Sequence, residues 1–211
     1  MPIINIKYIS NQVTLGVWKI EENVDSLEKM VYLSKAEIAE YNRIQNIKRK
    51  KEWLSARATL NTISKALNFK YKGTLKDENK KPSLLGLPWH ISLAHSFPYA
   101  TALLNTATPC GIDIEKAKPA LFHIYKRFLN EKELKRIPKD PLYLCSAWAA
   151  KEVLFKIYGR KSLSFKYNME LFPYELLKEG QIQGTIRKEK ETDKYLLQYF
   201  QLEEFIVCYS T

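Results

Sequence analysis

Apolar and polar positions recur along the chain in two periods, one belonging to short strands and the other to a few long helices. Residues 3–8 and 13–20 have β character, and Val13, Leu15 and Val17 take every second position, the period of a pleated strand. Ser34 and Glu37 form an S-x-x-E pattern, a capping box that starts a helix near Lys35. Between about 47 and 67, Trp53, Leu54, Ala58, Leu60, Ile63 and Leu67 supply the apolar stripe of a long helix. Residues 76–88 are polar and proline-bearing and read as a loop. His90–Leu93 and Tyr99–Asn105 then read as strands joined by a turn at Ser96-Phe97-Pro98. Further on, the pattern predicts a strand over 110–115, a helical region over 119–137 that stops before Pro138, and a second long helix over 142–158. Strands are predicted at Gly184–Lys188, Tyr195–Gln201 and Glu204–Cys208.

Each part of the chain thus holds one long helix followed by strands, a faint internal symmetry with no fixed repeat period competing with it, and the boundary between the parts is taken near Asn105–Cys110. With 45% hydrophobic residues, the 211-residue chain is long enough to bury a substantial core. No apolar run approaches the ~18–20 residues of a membrane helix. The opening Met-Pro-Ile-Ile-Asn-Ile-Lys lacks the basic-then-apolar layout of a secretory signal. Cys110, Cys145 and Cys208 are widely spaced and form no C-x-x-C pair, which favours reduced thiols in a core over a disulfide framework or a zinc site. Together these features predict a cytoplasmic protein with no membrane association.

The net charge of +11 changes the picture, because it asks for an anionic partner. Up to Asn105 there are 16 Lys/Arg against 9 Asp/Glu, and after it 18 against 14, so the basic excess leans to the first part. A polyphosphate-bearing nucleotide cofactor or an acidic protein suits this asymmetry. Nucleic acid suits it less well, since the lysines are spread along the chain and no nucleic-acid-binding motif is present.

Two short segments carry candidate chemistry. In Gly111-Ile112-Asp113-Ile114-Glu115, apolar and acidic residues alternate as on a half-buried strand. That alternation predicts Ile112 and Ile114 in the core and Asp113 and Glu115 together on the other face, roughly 7 Å apart at their Cα atoms. Trp148-Ala-Ala-Lys-Glu-Val-Leu-Phe-Lys156 reads as helix, with Ala147, Trp148, Lys151, Leu154, Phe155 and Tyr158 on one stripe and Glu152 and Lys156 on another face. By themselves, two acids on a strand describe any edge strand with a wet face, and a Glu four residues before a Lys is an ordinary helix ion pair worth ~0.2–0.5 kcal/mol. Together, three carboxylates and a lysine could build a site for a hard divalent cation and a phosphate.

Together the segments resemble the signature of the 4′-phosphopantetheinyl transferases, surfactin-type branch: G-[IV]-D-[IV]-E, then 30 to 45 residues, then W-x-x-K-E-x-x-x-K. The resemblance implies two similar pseudo-symmetric α+β halves, each a long helix packed on a small antiparallel sheet, here 1–107 and 108–211, with coenzyme A between them. It implies Mg²⁺ held by Asp113, Glu115 and Glu152. Glu152 would also serve as base, with Asp113 and Lys156 completing the catalytic set and Lys156 on coenzyme A phosphate. Arg57 would meet the adenosine-phosphate end, Lys81-Pro82 would match a G-K-P loop, and His95-Ser96 would match an S-H-S/T turn whose histidine contacts the 3′-phosphate; of the basic run Lys48–Lys51, Arg49 alone is taken as a cofactor contact, the rest as a solvated helix face. The activity implied is transfer of the phosphopantetheine arm from coenzyme A to a serine of an acyl or peptidyl carrier protein, releasing 3′,5′-ADP, by a monomer with an internal pseudo-dimer.

Glu133, after Arg127-Phe128-Leu129, matches a family glutamate that either aids or only supports the metal site. Lys151 has two readings, one snorkelling from the core edge and the other neutralising phosphate. The match extends through Gly159-Arg160-Lys161-Ser162-Leu163. Lys80 stands where the family has glycine, which puts the loop backbone in question, and Ala94 replaces a serine hydroxyl. A non-catalytic coenzyme A or nucleotide-binding module of the same fold is the competing reading, and the intact acidic set speaks against it.

Overall fold

The structure, a computed structural model, describes residues 3–159, 163–189 and 191–211, so Arg160–Ser162 of the run after the signature helix lie outside the described residues. The chain divides into two compact units, Met1–Cys110 and Gly111–Thr211. Each is a helix-on-sheet assembly, and the α+β reading holds.

In the N-terminal unit, strands β1 (Ile3–Tyr8), β2 (Val13–Lys19), β3 (Thr74–Lys76), β4 (Pro82–Leu84), β5 (His90–Ser96) and β6 (Tyr99–Asn105) form one antiparallel sheet in the order β1-β2-β6-β5-β4-β3. The stretch expected as a loop over 76–88 contains the β3–β4 hairpin, whose turn brings Lys80 to φ +68°. A left-handed residue was the alternative that replacing glycine by lysine left open. The turn closes with Lys80 N donating to Asp77 O and Lys81 N donating to Asp77 Oδ1.

Helices α1 (Val24–Met30), α2 (Lys35–Tyr41) and α3 (Ile47–Ala66) cover this sheet. The Ser34–Glu37 capping box forms at the start of α2, and Asn46 caps α3 by accepting from Arg49 N. The long α3 crosses close over β2, where a Cβ on Gly16 would meet Thr59 Cγ2 at 2.6 Å. Leu54, Leu60 and Ile63 from α3 are fully buried in that contact region.

In the C-terminal unit, β7 (Ile112–Lys116), β8 (Met169–Leu171), β9 (Glu179–Arg187), β10 (Thr192–Leu202) and β11 (Phe205–Ser210) form an antiparallel sheet in the order β7-β11-β10-β9-β8. Two short helices replace the single helical region expected over 119–137: α4 (Leu121–Phe128) and α5 (Glu131–Arg136). The break falls at Asn130, whose side chain accepts from Lys132 N and Glu133 N while Glu133 returns a bond to Asn130 N, a second capping box.

The signature helix, α6 (Pro141–Tyr158), starts under an Asp140 cap with Pro141 in its first turn. It packs on the sheet through Leu144, Ala147, Val153 and Leu154, against Ile182, Ile186, Leu197, Ile206 and Cys208. All three cysteines are free and buried, as expected of core thiols. Among the described residues no helix is long and apolar enough to cross a membrane.

Candidate active site

The acidic strand and the signature helix meet in the C-terminal unit, on the face of β7 that carries the two acids. Asp113 pairs in register with Cys208 and Glu115 with Ile206, and both partners belong to the core packed around α6. Residues opposite each other in an antiparallel pair share a face. The carboxylates therefore point at the helix, and Ile112 and Ile114, also buried, occupy the opposite face. Asp113 is 6% exposed, so the expected solvated face is a closed one.

The motif glycine explains how the two elements come so close. A Cβ on Gly111 would lie 2.5 Å from the carbonyl oxygen of Val153, so only glycine lets the start of β7 approach the helix backbone. This contact places Glu152 and Lys156, on either side of Val153, toward Asp113.

Lys156 Nζ donates to Asp113 Oδ1 at 2.7 Å and to Ile112 O at 2.8 Å. The lysine thus pairs across to the strand carboxylate, and no ion pair with Glu152, its neighbour four residues back, is formed among the described residues. The other oxygen, Asp113 Oδ2, is buried without a hydrogen-bond partner. Burial and the charge of Asp113 push the Glu152 carboxyl up to about 7, while Lys156 pulls the other way. The same two causes raise Glu115. Three acids facing one lysine carry excess negative charge in a low-dielectric setting.

Among the described residues, no three His, Cys, Asp or Glu side chains are already gathered in metal-binding geometry. The chemistry of the set nonetheless fits a hard cation. A buried carboxylate oxygen lacks a donor, and Glu152 and Glu115 are held protonation-prone by burial and by the charge of Asp113, which a divalent ion accepting further oxygens from phosphate and water would relieve.

Lys151 neither snorkels nor reaches a phosphate site. It is fully buried, and Nζ donates to Glu133 Oε2 at 2.6 Å, Phe128 O at 2.7 Å, Phe165 O at 2.9 Å and Met169 O at 3.1 Å. Glu133 is also fully buried and accepts from Leu171 N on its other oxygen. Of the two roles considered for Glu133, the supporting one matches its contacts. The pair ties α5, β8 and the end of α4 to the signature helix.

The remaining candidates lie in the N-terminal unit. Arg49, in the first turn of α3, contacts the His95 ring, with Nη1 3.1 Å from Nδ1 and closer still to Nε2. Ser96 ends β5 beside it, and Lys48 lies over the Phe97 ring. Lys81 and Pro82 are half-buried at the β3–β4 hairpin, and burial lowers the Lys81 pKa. Ala94 is buried on the strand face opposite His95, so the replaced hydroxyl belonged to the covered side. Arg57 stands apart from His95 in its contacts. It is 4% exposed, its Nε donates to Glu37 Oε1 at 3.2 Å, Nη2 lies 3.8 Å from Glu40, and its guanidinium stacks on Trp53. One acid in this unit escaped the sequence reading: Glu52, which accepts from Phe97 N and lies 3.3 Å from His95 Nδ1. Its spacing of three from Arg49 within the basic run was the available signal.

An α+β unit with an acidic strand set against a Glu–Lys helix defines the class to which the comparisons point. A family model described as the 4′-phosphopantetheinyl transferase superfamily matches residues 109–210. It is similar to the 4′-phosphopantetheinyl transferase psf-1 of Bacillus pumilus, 28% identical over 139 residues, which are 62% of this chain and 57% of that protein. It is also similar to the 4′-phosphopantetheinyl transferase Sfp of Bacillus subtilis (strain 168), 33% identical over 111 residues, 50% of this chain and 48% of that protein. The matches thus span about half the length of these curated relatives.

Proposed function

We propose that this chain is a Mg²⁺-dependent 4′-phosphopantetheinyl transferase that modifies a serine of an acyl or peptidyl carrier protein with the arm of coenzyme A. The observation that carries the reading is the gathering of Asp113, Glu152 and Lys156 across the β7–α6 contact, with Asp113 Oδ2 unpartnered and Glu152 poised near neutrality.

In this reading the serine oxygen attacks the pantetheine-side phosphorus of the pyrophosphate, the bond to 3′,5′-ADP breaks, and the serine proton passes to Glu152. Burial and the charge of Asp113 raise the Glu152 carboxyl toward neutrality in the metal-free protein, the direction that makes a carboxylate a better proton acceptor. Asp113, Glu115 and Glu152 would hold Mg²⁺, which when bound neutralises charge on the pyrophosphate. Lys156, anchored on Asp113 and the Ile112 carbonyl, supplies a second positive charge at the phosphate. As the resemblance assigns them, His95, Ser96, Arg49, Lys81, Pro82 and Arg57 would contact the adenosine-phosphate end of coenzyme A. The +11 charge favours an acidic carrier surface.

The test is incubation of the full chain with coenzyme A, Mg²⁺ and an apo carrier protein, followed by intact-mass analysis. A carrier heavier by one phosphopantetheine arm is expected. Coenzyme A binding without any mass gain on acyl and peptidyl carriers would overturn the transferase reading in favour of a binding module.

A further inference from the structure

Glu52 makes contacts that an ordinary helix ion pair does not make. Its side chain is 12% exposed, and both oxygens are committed across the unit to the turn after β5: Oε1 accepts from Phe97 N at 3.2 Å, and Oε2 lies 3.3 Å from His95 Nδ1. Its distance to Arg49 Nη1, one turn back on α3, is a looser 3.7 Å. Arg49 meets the same imidazole and is nearest to Nε2.

The donor and acceptor inventory fixes what this arrangement means. A carboxylate accepts only, a guanidinium donates only, and each ring nitrogen of a neutral histidine does one or the other. The Glu52 Oε2–Nδ1 contact and the closer of the two Arg49 contacts, the one at Nε2, are both attractive only where Nδ1 carries the hydrogen and gives it to Glu52 while the Nε2 lone pair faces Arg49, whose Nη1 also lies 3.1 Å from Nδ1. The charged groups on α3 around this turn are Lys48, Arg49 and Glu52. On the sheet, Ala94 and Ser96 flank His95 and Ala100 is its cross-strand partner.

We infer that Glu52 is a positioning residue, which fixes the tautomer and orientation of His95 and thereby makes the Arg49–His95 pair a preassembled recognition unit for a phosphate monoester. On binding, the Arg49 donors turn to the phosphate oxygens, and Nε2 takes a proton from solvent and becomes a second donor. Glu52 stabilises the imidazolium so formed. The inference rests on the proposed function only in naming that monoester as the 3′-phosphate of coenzyme A.

The test compares wild type, Glu52→Leu and Glu52→Gln in the full chain. Titration calorimetry with coenzyme A and 3′-dephospho-coenzyme A needs no carrier, and ¹⁵N-histidine spectra read the His95 tautomer without any ligand. Wild type is expected to show His95 as the Nδ1–H tautomer. Glu52→Leu should lose this preference and bind coenzyme A roughly ten- to hundredfold more weakly, the range of a lost charge-assisted contact, while its affinity for the dephospho form changes less than about twofold. Glu52→Gln, which keeps an acceptor for Phe97 N, should fold normally and still lose part of the discrimination. An unchanged tautomer in Glu52→Leu, or equal losses for the two cofactors in a variant that melts like wild type, would overturn the inference. If wild type bound neither cofactor, the coenzyme A reading would fail, and adenosine 3′,5′-bisphosphate against AMP would still decide the role of Glu52.

Discussion

Replacing Lys151 by methionine separates a structural signature lysine from a phosphate-binding one. The side chain is fully buried, and three N–H donors serve four acceptors, the carboxylate of Glu133 and three main-chain carbonyls. Methionine keeps the length and packing but leaves Glu133 as a buried charge held only by the amides of Asn130 and Leu171. Breaking a buried pair from one side costs about 3–5 kcal/mol. At roughly 2–4 °C per kcal/mol for a chain of this size, the melting temperature should drop by about 6–20 °C. The double variant Lys151→Met/Glu133→Gln removes both charges and should recover about 2 kcal/mol relative to the sum of the singles. The assay is urea unfolding followed by tryptophan fluorescence. Trp148, the tryptophan of the C-terminal unit, packs on Phe128 and Phe165, whose carbonyls Lys151 holds, so it reports the local transition. A Lys151→Met protein within about 1 kcal/mol of wild type, with a raised coenzyme A requirement instead, would refute the reasoning.

Glu152→Gln tests the raised carboxyl. A pKa lifted to about 7 in the folded state contributes stability that is full below the unfolded value and lost as pH rises through 7. The metal-free variant should therefore be more stable than wild type above pH 7, by up to about 3 kcal/mol, and Mg²⁺ should remove that advantage while turnover stays at least ~10²-fold low; equal melting curves at pH 8 would contradict the burial argument. Gly111→Ala forces a Cβ against the Val153 carbonyl and should cost about 1–3 kcal/mol and lower transferase activity at temperatures where it remains folded; a wild-type melting temperature would show the approach to be slack. Arg57→Ala leaves Glu37 buried beside Tyr71 and Thr74 and should cost about 3–5 kcal/mol in unfolding assays, and the affinity ratio of coenzyme A to its dephospho form, measured on the same protein, reads any contact with the ligand separately.

The sequence by itself determined the periodic elements and the chemistry on them. The apolar spacing gave α3 and α6, the S-x-x-E pattern gave the start of α2, and Gly111 to Glu115 read as a strand carrying acids, because each of these signals is local to a few turns or residues. The hairpin of β3 and β4 was hidden because Lys76 to Leu84 carries polar edge-strand residues with no alternation, and the break at Asn130 was hidden inside an otherwise helical run. Tertiary structure alone decided which side of β7 faces the helix. Alternation says that Asp113 and Glu115 lie together, opposite the buried Ile112 and Ile114, but it does not say that a helix also closes over the acids and buries Asp113. The same holds for charge. A lysine on an apolar stripe reads as a snorkeller until Glu133 and three carbonyls close around it, and Glu152 and Lys156 read as a helix pair until Asp113 takes the lysine. Burial and partner choice are set by chain segments tens of residues away, and those set the pKa values on which the proposed chemistry depends.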